Sequence, residues 1–176
     1  VVIELKSPSN PDADIHDAYN QVKHYQQYVP SLFTLNCFNV ISDFSDSKAG
    51  TITASENRYM AWKTKDGNYE STAFADFDTF FEGIFQRDRL IDLIHNFICF
   101  DKWEGKTGKI LAAYHQYFAV NKAINRTYDA VSGNGKIGVF WHTQGSGKSL
   151  SMVFFAHLLI QKFPETTIVV VTDRKD

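Results

Sequence analysis

Two cysteines, Cys37 and Cys99, are all that the 176 residues contain, far apart and in no Cys-x-x-Cys pair. A disulfide-built scaffold and a cysteine zinc site are therefore excluded, and a reducing cytoplasm is the expected setting. Long apolar runs are also missing: Val153 to Ile160 and Ile168 to Val171 are the longest. Neither spans a bilayer, no signal peptide opens the chain, and no membrane partner is expected. The six histidines show no metal-ligand spacing. No charge of one sign dominates, since the net charge is −2. That average hides an asymmetry: residues 1–100 hold 8 Lys/Arg against 14 Asp/Glu, and residues 101–176 hold 10 against 6. No broad basic surface announces a nucleic-acid protein, but the sign change near residue 100 suggests two units. What is present, 44% hydrophobic and 15% aromatic residues, is enough to bury a core and excludes wholesale disorder.

The chain opens without Met inside an apolar strand pattern and closes just after another, so it reads as a segment of a longer protein. Residues 1–6 read as a strand whose Val1, Ile3 and Leu5 form an apolar face and whose Glu4 and Lys6 form the other. Pro11 suits a first helical residue, and a helix is expected from Asp12 to Tyr28, stopping before Pro30. Phe33 to Ile41 is strand-like, Asp43 to Gly50 is a polar turn region, and Thr51 to Ala54 and Tyr59 to Lys63 suggest short strands. Asp66-Gly67-Asn68 marks a turn. Phe77, Phe80, Phe81, Ile84 and Phe85 make one helical stripe, and Leu90, Leu93, Ile94, Phe97 and Ile98 a second. The aromatic stretch from Phe77 to Phe100 reads as core. Lys102 to Lys109 is polar and glycine-containing, a candidate linker. A helix is expected from Ile110 to about Ala130, a strand over Ile137 to Trp141, a helix over Lys148 to Lys162 and a strand over Thr167 to Thr172.

The segment His142-Thr143-Gln144-Gly145-Ser146-Gly147-Lys148-Ser149 lies between an apolar strand pattern and an apolar helix pattern. Glycines there let backbone N–H groups turn toward phosphate oxygens, and the helix N-terminus adds a positive dipole end. Lys148 then reaches the β- and γ-phosphates, and the Ser149 hydroxyl binds Mg²⁺. His142 departs from the strict pattern, which places Gly or Ala five residues before Gly147. Gln116, 32 residues before Lys148, carries an amide able to pair with both adenine edges, N6 and N7; by spacing alone, an exposed helical glutamine is the preferred reading.

An acid and a lysine two apart on one strand face suit Mg²⁺-assisted phosphodiester cleavage, the carboxylate holding metal and the lysine stabilising charge. A strand-face ion pair is the plainer reading of Glu4 and Lys6. Gln21 and Tyr25, at i and i+4 on the following helix, face one way, toward a site or toward a packed core.

Taken together, these motifs resemble the restriction (motor) subunit of type I restriction–modification enzymes. Glu4-Leu5-Lys6 is similar to the second half of the PD-(D/E)xK nuclease motif, and Gln21-x-x-x-Tyr25 to the QxxxY motif of RecB-like nucleases. Tyr114-His115-Gln116 resembles the family's adenine-reading Q motif, the loop before Ser149 its Walker A motif, in which histidine is usual at position 142, and Val169 to Arg174 motif Ia of superfamily 2 motors. The resemblance implies an α/β chain. A partial restriction-endonuclease-like domain would occupy residues 1–101, a linker 102–109, and the start of a RecA-like motor domain 110–176. It implies double-stranded DNA translocation driven by ATP, coupled to Mg²⁺-dependent cleavage, with modification and specificity subunits as partners. S-adenosylmethionine would enter only through the modification subunit. Glu4 would bind the nuclease metal, Lys6 would be catalytic, and Gln21 and Tyr25 would support the site. Gln116, Thr143, Gly145, Ser146, Gly147, Lys148 and Ser149 would hold MgATP, with Ser149 on its metal. Thr172 and Arg174 would touch DNA. The family's upstream nuclease Asp and downstream Asp-Glu pair do not occur in these residues, so the segment alone is expected to have no turnover. A type III restriction-like nuclease motor and a non-catalytic ATP-binding remnant are the alternatives.

Overall fold

A computed structural model describes residues 1–10, 13–68, 76–103 and 105–171, with a mixed α/β arrangement. They fall into two compact units, Val1–Tyr117 and Phe118–Asp176.

The first unit is built on a three-stranded sheet of order β1-β2-β3: β1 Val2–Leu5, β2 Asn39–Ser42 and β3 Ser47–Gly50. β1 runs parallel to β2, which requires a crossover, and helix α1 (Ile15–Tyr28) supplies it. β3 returns antiparallel through a tight turn. Partners directly opposite share a face, so Glu4, Ile41 and Lys48 form one row, and Ile3, Val40 and Ala49 a row on the other face. α1 covers the first face. Its Ala18 and Val22, at i and i+4, join Ile41, Phe33 and Tyr59 in a buried cluster, with Val2, Ile15 and Tyr25 packed against it. Burying a Val or Ile there contributes roughly 1.5–3 kcal/mol each.

This packing reverses one sequence expectation. Val1, Ile3 and Leu5 are 43–56% exposed, and the half-buried side chains of this segment are Val2, Glu4 and Lys6. Alternation divides a strand into two faces, but the helix decides which is covered. α1 also starts later than expected. Asp14 is its N-cap, accepting from the backbone N–H groups of His16 (2.8 Å) and Asp17 (3.1 Å), while Asp17 accepts from Asp14 N–H in return (3.0 Å). Pro11 and Asp12 lie outside the described residues. The stop at Tyr28, ahead of Pro30, is as expected, and a 3-10 turn Pro30–Phe33 follows.

Phe33 to Ile41 is thus part turn and part strand. Residues 51–54 form a turn rather than a strand, and Met60 meets only Ala49 in an isolated bridge. Both apolar stripes become helices, α2 (Phe77–Ile84) and α3 (Arg87–Asn96), although Phe97 caps α3 and Ile98 already belongs to the next strand; Phe80, Ile84, Leu93 and Phe97 are fully buried. Phe100, read as core, is 67% exposed on β4. The stretch read as a linker is the turn end of a hairpin, β4 (Ile98–Trp103) and β5 (Lys106–Leu111). Gly105 reverses the chain there at φ +77°, a conformation nearly reserved for glycine. β5 is stitched to residues 51–53 and 36: Thr53 Oγ1 accepts from Lys109 N–H (2.7 Å), and Lys109 Nζ donates to the Asn36 carbonyl (2.6 Å). Helix α4 (Tyr114–Val131) begins after this hairpin, later than Ile110 because β5 claims residues to Leu111.

The second unit takes the rest of α4 and helix α5 (Lys148–Lys162), the latter as expected. Val120, Ile124 and Ala130 on α4, and Phe154 and Leu158 on α5, are its buried apolar residues among those described, and Tyr128 meets Phe163 at 4.8 Å. The two strands expected here are not formed. Residues 136–143 and 166–171 carry no ladder bonds, and Val139, Trp141, Val169 and Val171 are 78–95% exposed. A strand exists by pairing, and no described segment pairs with these two.

Candidate functional sites

On β1, Lys6 Nζ donates to Glu4 Oε1 at 3.1 Å, with the two side chains 20% and 17% exposed. Both groups are thus held together on the α1-covered face and partly shielded from water. α1 presents Tyr25 against the buried cluster. Gln21, one turn earlier, is half-buried, and its side chain makes no hydrogen bond among the described residues. Glu4 and Lys6 thus share the sheet face that α1 covers, and Tyr25 packs against the cluster on that face.

Residues that sequence reading passed over hold α1 in place. Asp43, at the end of β2, accepts from Ile15 N–H with Oδ2 (3.1 Å) and from Asp46 N–H with Oδ1 (2.7 Å). It pins the helix start to the strand end. On the other side Lys23 Nζ donates to the Ile52 carbonyl (2.9 Å), and the Tyr19 hydroxyl to that of Ala54 (3.3 Å). Burial pulls the Lys23 ammonium below its usual range. The only signal for Asp43 was an acid placed just after a strand, which a polar turn also explains.

Among the described residues no group of three or more His, Cys, Asp or Glu is placed to hold a metal. One carboxylate already bonded to a lysine does not make a Mg²⁺ site, so the nuclease metal does not fit these residues by themselves.

The phosphate loop fits its ligand better. Gly145 and Gly147 turn the loop at φ +80° and +76°, and a side chain added at Gly145 would meet nothing within 4 Å, so the cradle is open. Gly147 precedes α5, and no side chain caps that helix start. Lys148 Nζ donates to the carbonyls of His142 (3.0 Å) and Thr143 (3.0 Å), folding over its own loop. Ser146 Oγ donates to the Thr143 carbonyl (2.7 Å). Lys148 and Ser149 are exposed. The His142 ring packs on Phe140 at 4.6 Å. An exposed ammonium, an uncapped helix start and backbone turned inward are the groups that bind phosphate oxygens.

Gln116 is not an exposed helical glutamine. It is buried in the first unit, and its Oε1 accepts from Ala113 N–H at 2.9 Å, capping the start of α4. Thr172 and Arg174 lie outside the described residues.

The chain thus carries a strand-borne acid–lysine pair and, further along, a glycine loop of the phosphate-binding type. Comparison with known proteins agrees: residues 1–58 match the family of the type I restriction enzyme R protein N terminus, and residues 115–176 match the SWI2/SNF2 ATPase family. The chain is 42% identical to the type I restriction enzyme HindI endonuclease subunit of Haemophilus influenzae, covering 100% of this chain and 17% of that protein. It is 28% identical to the type I restriction enzyme SauCOLORF180P endonuclease subunit of Staphylococcus aureus, covering 100% of this chain and 18% of that protein. The chain is a relative of the type I restriction endonuclease subunits along its whole length, and it spans about a sixth of the length of these two.

Proposed function

We propose that this chain serves DNA restriction, joining part of a PD-(D/E)xK nuclease domain to the start of a RecA-like motor that binds MgATP. The observation that carries the reading is the Glu4–Lys6 pair held on one strand face in the same chain as the phosphate loop. Lys6 is the group that would stabilise charge on a scissile phosphate, and Glu4 one of several ligands that a metal needs. Gln21 and Tyr25 would support substrate from α1. Lys148 would leave the carbonyls of His142 and Thr143 for the β- and γ-phosphates, with Gly145, Ser146, Gly147 and Thr143 around them and Ser149 toward the Mg²⁺. The motif, rather than the packing, supports Gln116 as the adenine reader. Thr172 and Arg174 remain proposed DNA contacts on the same ground.

In the protein as it works we propose double-stranded DNA as substrate, ATP-driven translocation, and modification and specificity subunits as partners in the cytoplasm. S-adenosylmethionine would be used only by the modification subunit. No described helix is long and apolar enough to cross a membrane. The 176-residue chain by itself should bind MgATP without turning it over, and should not cleave DNA. Equilibrium binding of a fluorescent ATP analogue tests the motor half. Lys148→Ala should weaken it at least tenfold; equal binding by the variant would remove the phosphate-loop reading. Mg²⁺-dependent cleavage by the purified chain, abolished by Lys6→Ala, would overturn the expectation of inactivity.

A further inference from the structure

Phe44 stands in a conformation that a phenylalanine rarely adopts. Its φ is +78°, and among the described residues no other non-glycine has a positive φ. It opens the two-residue turn between β2 and β3, a place where Gly, Asn or Asp sits without steric cost. The turn is firmly bonded: Asp43 N–H donates to the Asp46 carbonyl (3.1 Å), and Phe44 N–H donates to Ser42 Oγ (3.0 Å), which itself pairs with Ser47 Oγ (2.8 Å). The strain therefore holds the ring in one place. Core packing does not explain it, because Phe44 is 57% exposed. Its ring rests near-parallel on Phe77 (5.1 Å, 30°), Phe77 on Phe81 (4.4 Å), and Phe81 on Phe85 (5.6 Å, 13°). The result is a flat ring backed by a column of aromatics and open to solvent. It stands at the sheet end where Lys6 finishes its pairing, since Lys6 N–H donates to the Ser42 carbonyl two residues before Phe44 (2.8 Å). Asp43 and Asp46 flank it, a setting that repels phosphate and suits the uncharged face of a base.

We propose that Phe44 is a DNA-contacting residue whose ring stacks on a nucleobase of DNA engaged at the Glu4–Lys6 end of the sheet. The proposal rests on the nuclease reading above and adds a contact that none of its motifs contains. Aromatic rings displayed in this way stack on single bases or wedge between base steps.

The test is fluorescence anisotropy of the full chain with a short labelled duplex carrying a single-stranded overhang, run beside thermal unfolding. Phe44→Gly and Phe44→Asn both accept a positive φ and both lack the ring. Each should weaken DNA binding about tenfold while the melting midpoint holds or rises, and Phe44→Tyr should bind as the parent does. Unchanged affinity in the glycine and asparagine variants overturns the proposal and leaves the nuclease reading standing. A midpoint that falls in both, in step with binding, makes the ring structural and also overturns it. If the parent chain itself binds no DNA, the nuclease reading fails and takes the stacking role with it.

Discussion

Gly50 shows how closely single residues set the shape around the candidate nuclease face. A side chain added there would sit 2.5 Å from the Tyr59 ring, which lies across the strand. Gly50→Ala must displace that ring from the cluster beneath α1, at about 1–3 kcal/mol, and a urea midpoint that does not fall would show the ring to be mobile. Tyr59 is itself a probe. Burial pushes its hydroxyl up to about 12. A pKa raised in the folded state stabilises below the unfolded value, near 10, and the gain is lost as pH climbs from 10 toward 12. Alkaline unfolding in that window should shift upward in Tyr59→Phe. Gln116 carries a third expectation: Gln116→Ala leaves the Ala113 N–H without its 2.9 Å partner and should cost about 1–2 kcal/mol with no nucleotide present. A variant as stable as the parent would mean that the cap is dispensable.

Among the elements, α1 is the one on which the candidate nuclease site depends, and its moorings differ in kind. Asp43 and the capping pair Asp14 and Asp17 hold its start, while His16 Nδ1 meets Glu56 Oε2 at 2.7 Å on the outer side. The Glu56 hydrogen bond and charge raise the His16 pKa above 6.5. The raised value means that this contact stabilises below the unfolded pKa and is lost as pH rises through the folded one. Comparing the melting midpoints of the parent and Glu56→Gln across pH 5.5 to 8 should show a gap at the acid end that closes toward the alkaline end and shrinks in salt. A gap independent of pH would remove the imidazolium from the account. The elements also show what sequence can tell. The glycines at 145 and 147 and the helix after them were legible because the steric rule behind them is local. So were the two aromatic stripes, whose spacing alone makes a helix amphipathic. The covered face of β1 was not, because it depends on where Ala18 and Val22 of α1 dock. Residues 102–109 of the hairpin read as a linker because their lysines and glycines resemble one, and only pairing tells them apart.

Over the whole molecule the two units are unequal in order. The first has a sheet with a helix on one face and aromatic packing besides; the second has two helices and two apolar segments that pair with no strand among the described residues. Backbone N–H groups at 137–141 and 167–171 should exchange with solvent deuterium orders of magnitude faster than those of β2, whose residues are all buried. Strong protection in those segments would reveal pairing between molecules, which exposed apolar strand-formers invite. The missing strands were illegible for the same reason: Val169 to Val171 has the composition of a central strand, and composition cannot supply neighbours.

The parallel pairing of β1 with β2 through α1 has one more consequence. Glu4, Lys6, Gln21 and Tyr25, with the acid that moors their helix, all lie in a single β–α–β loop closed by Asp43. Such a loop is a heritable block. Recombination on the C-terminal side of Ile52, Ala54 and Tyr59, which α1 also holds or packs against, carries the whole arrangement across intact, while a breakpoint between residues 6 and 43 destroys it. The nuclease-like face and the phosphate loop are therefore free to have separate ancestries.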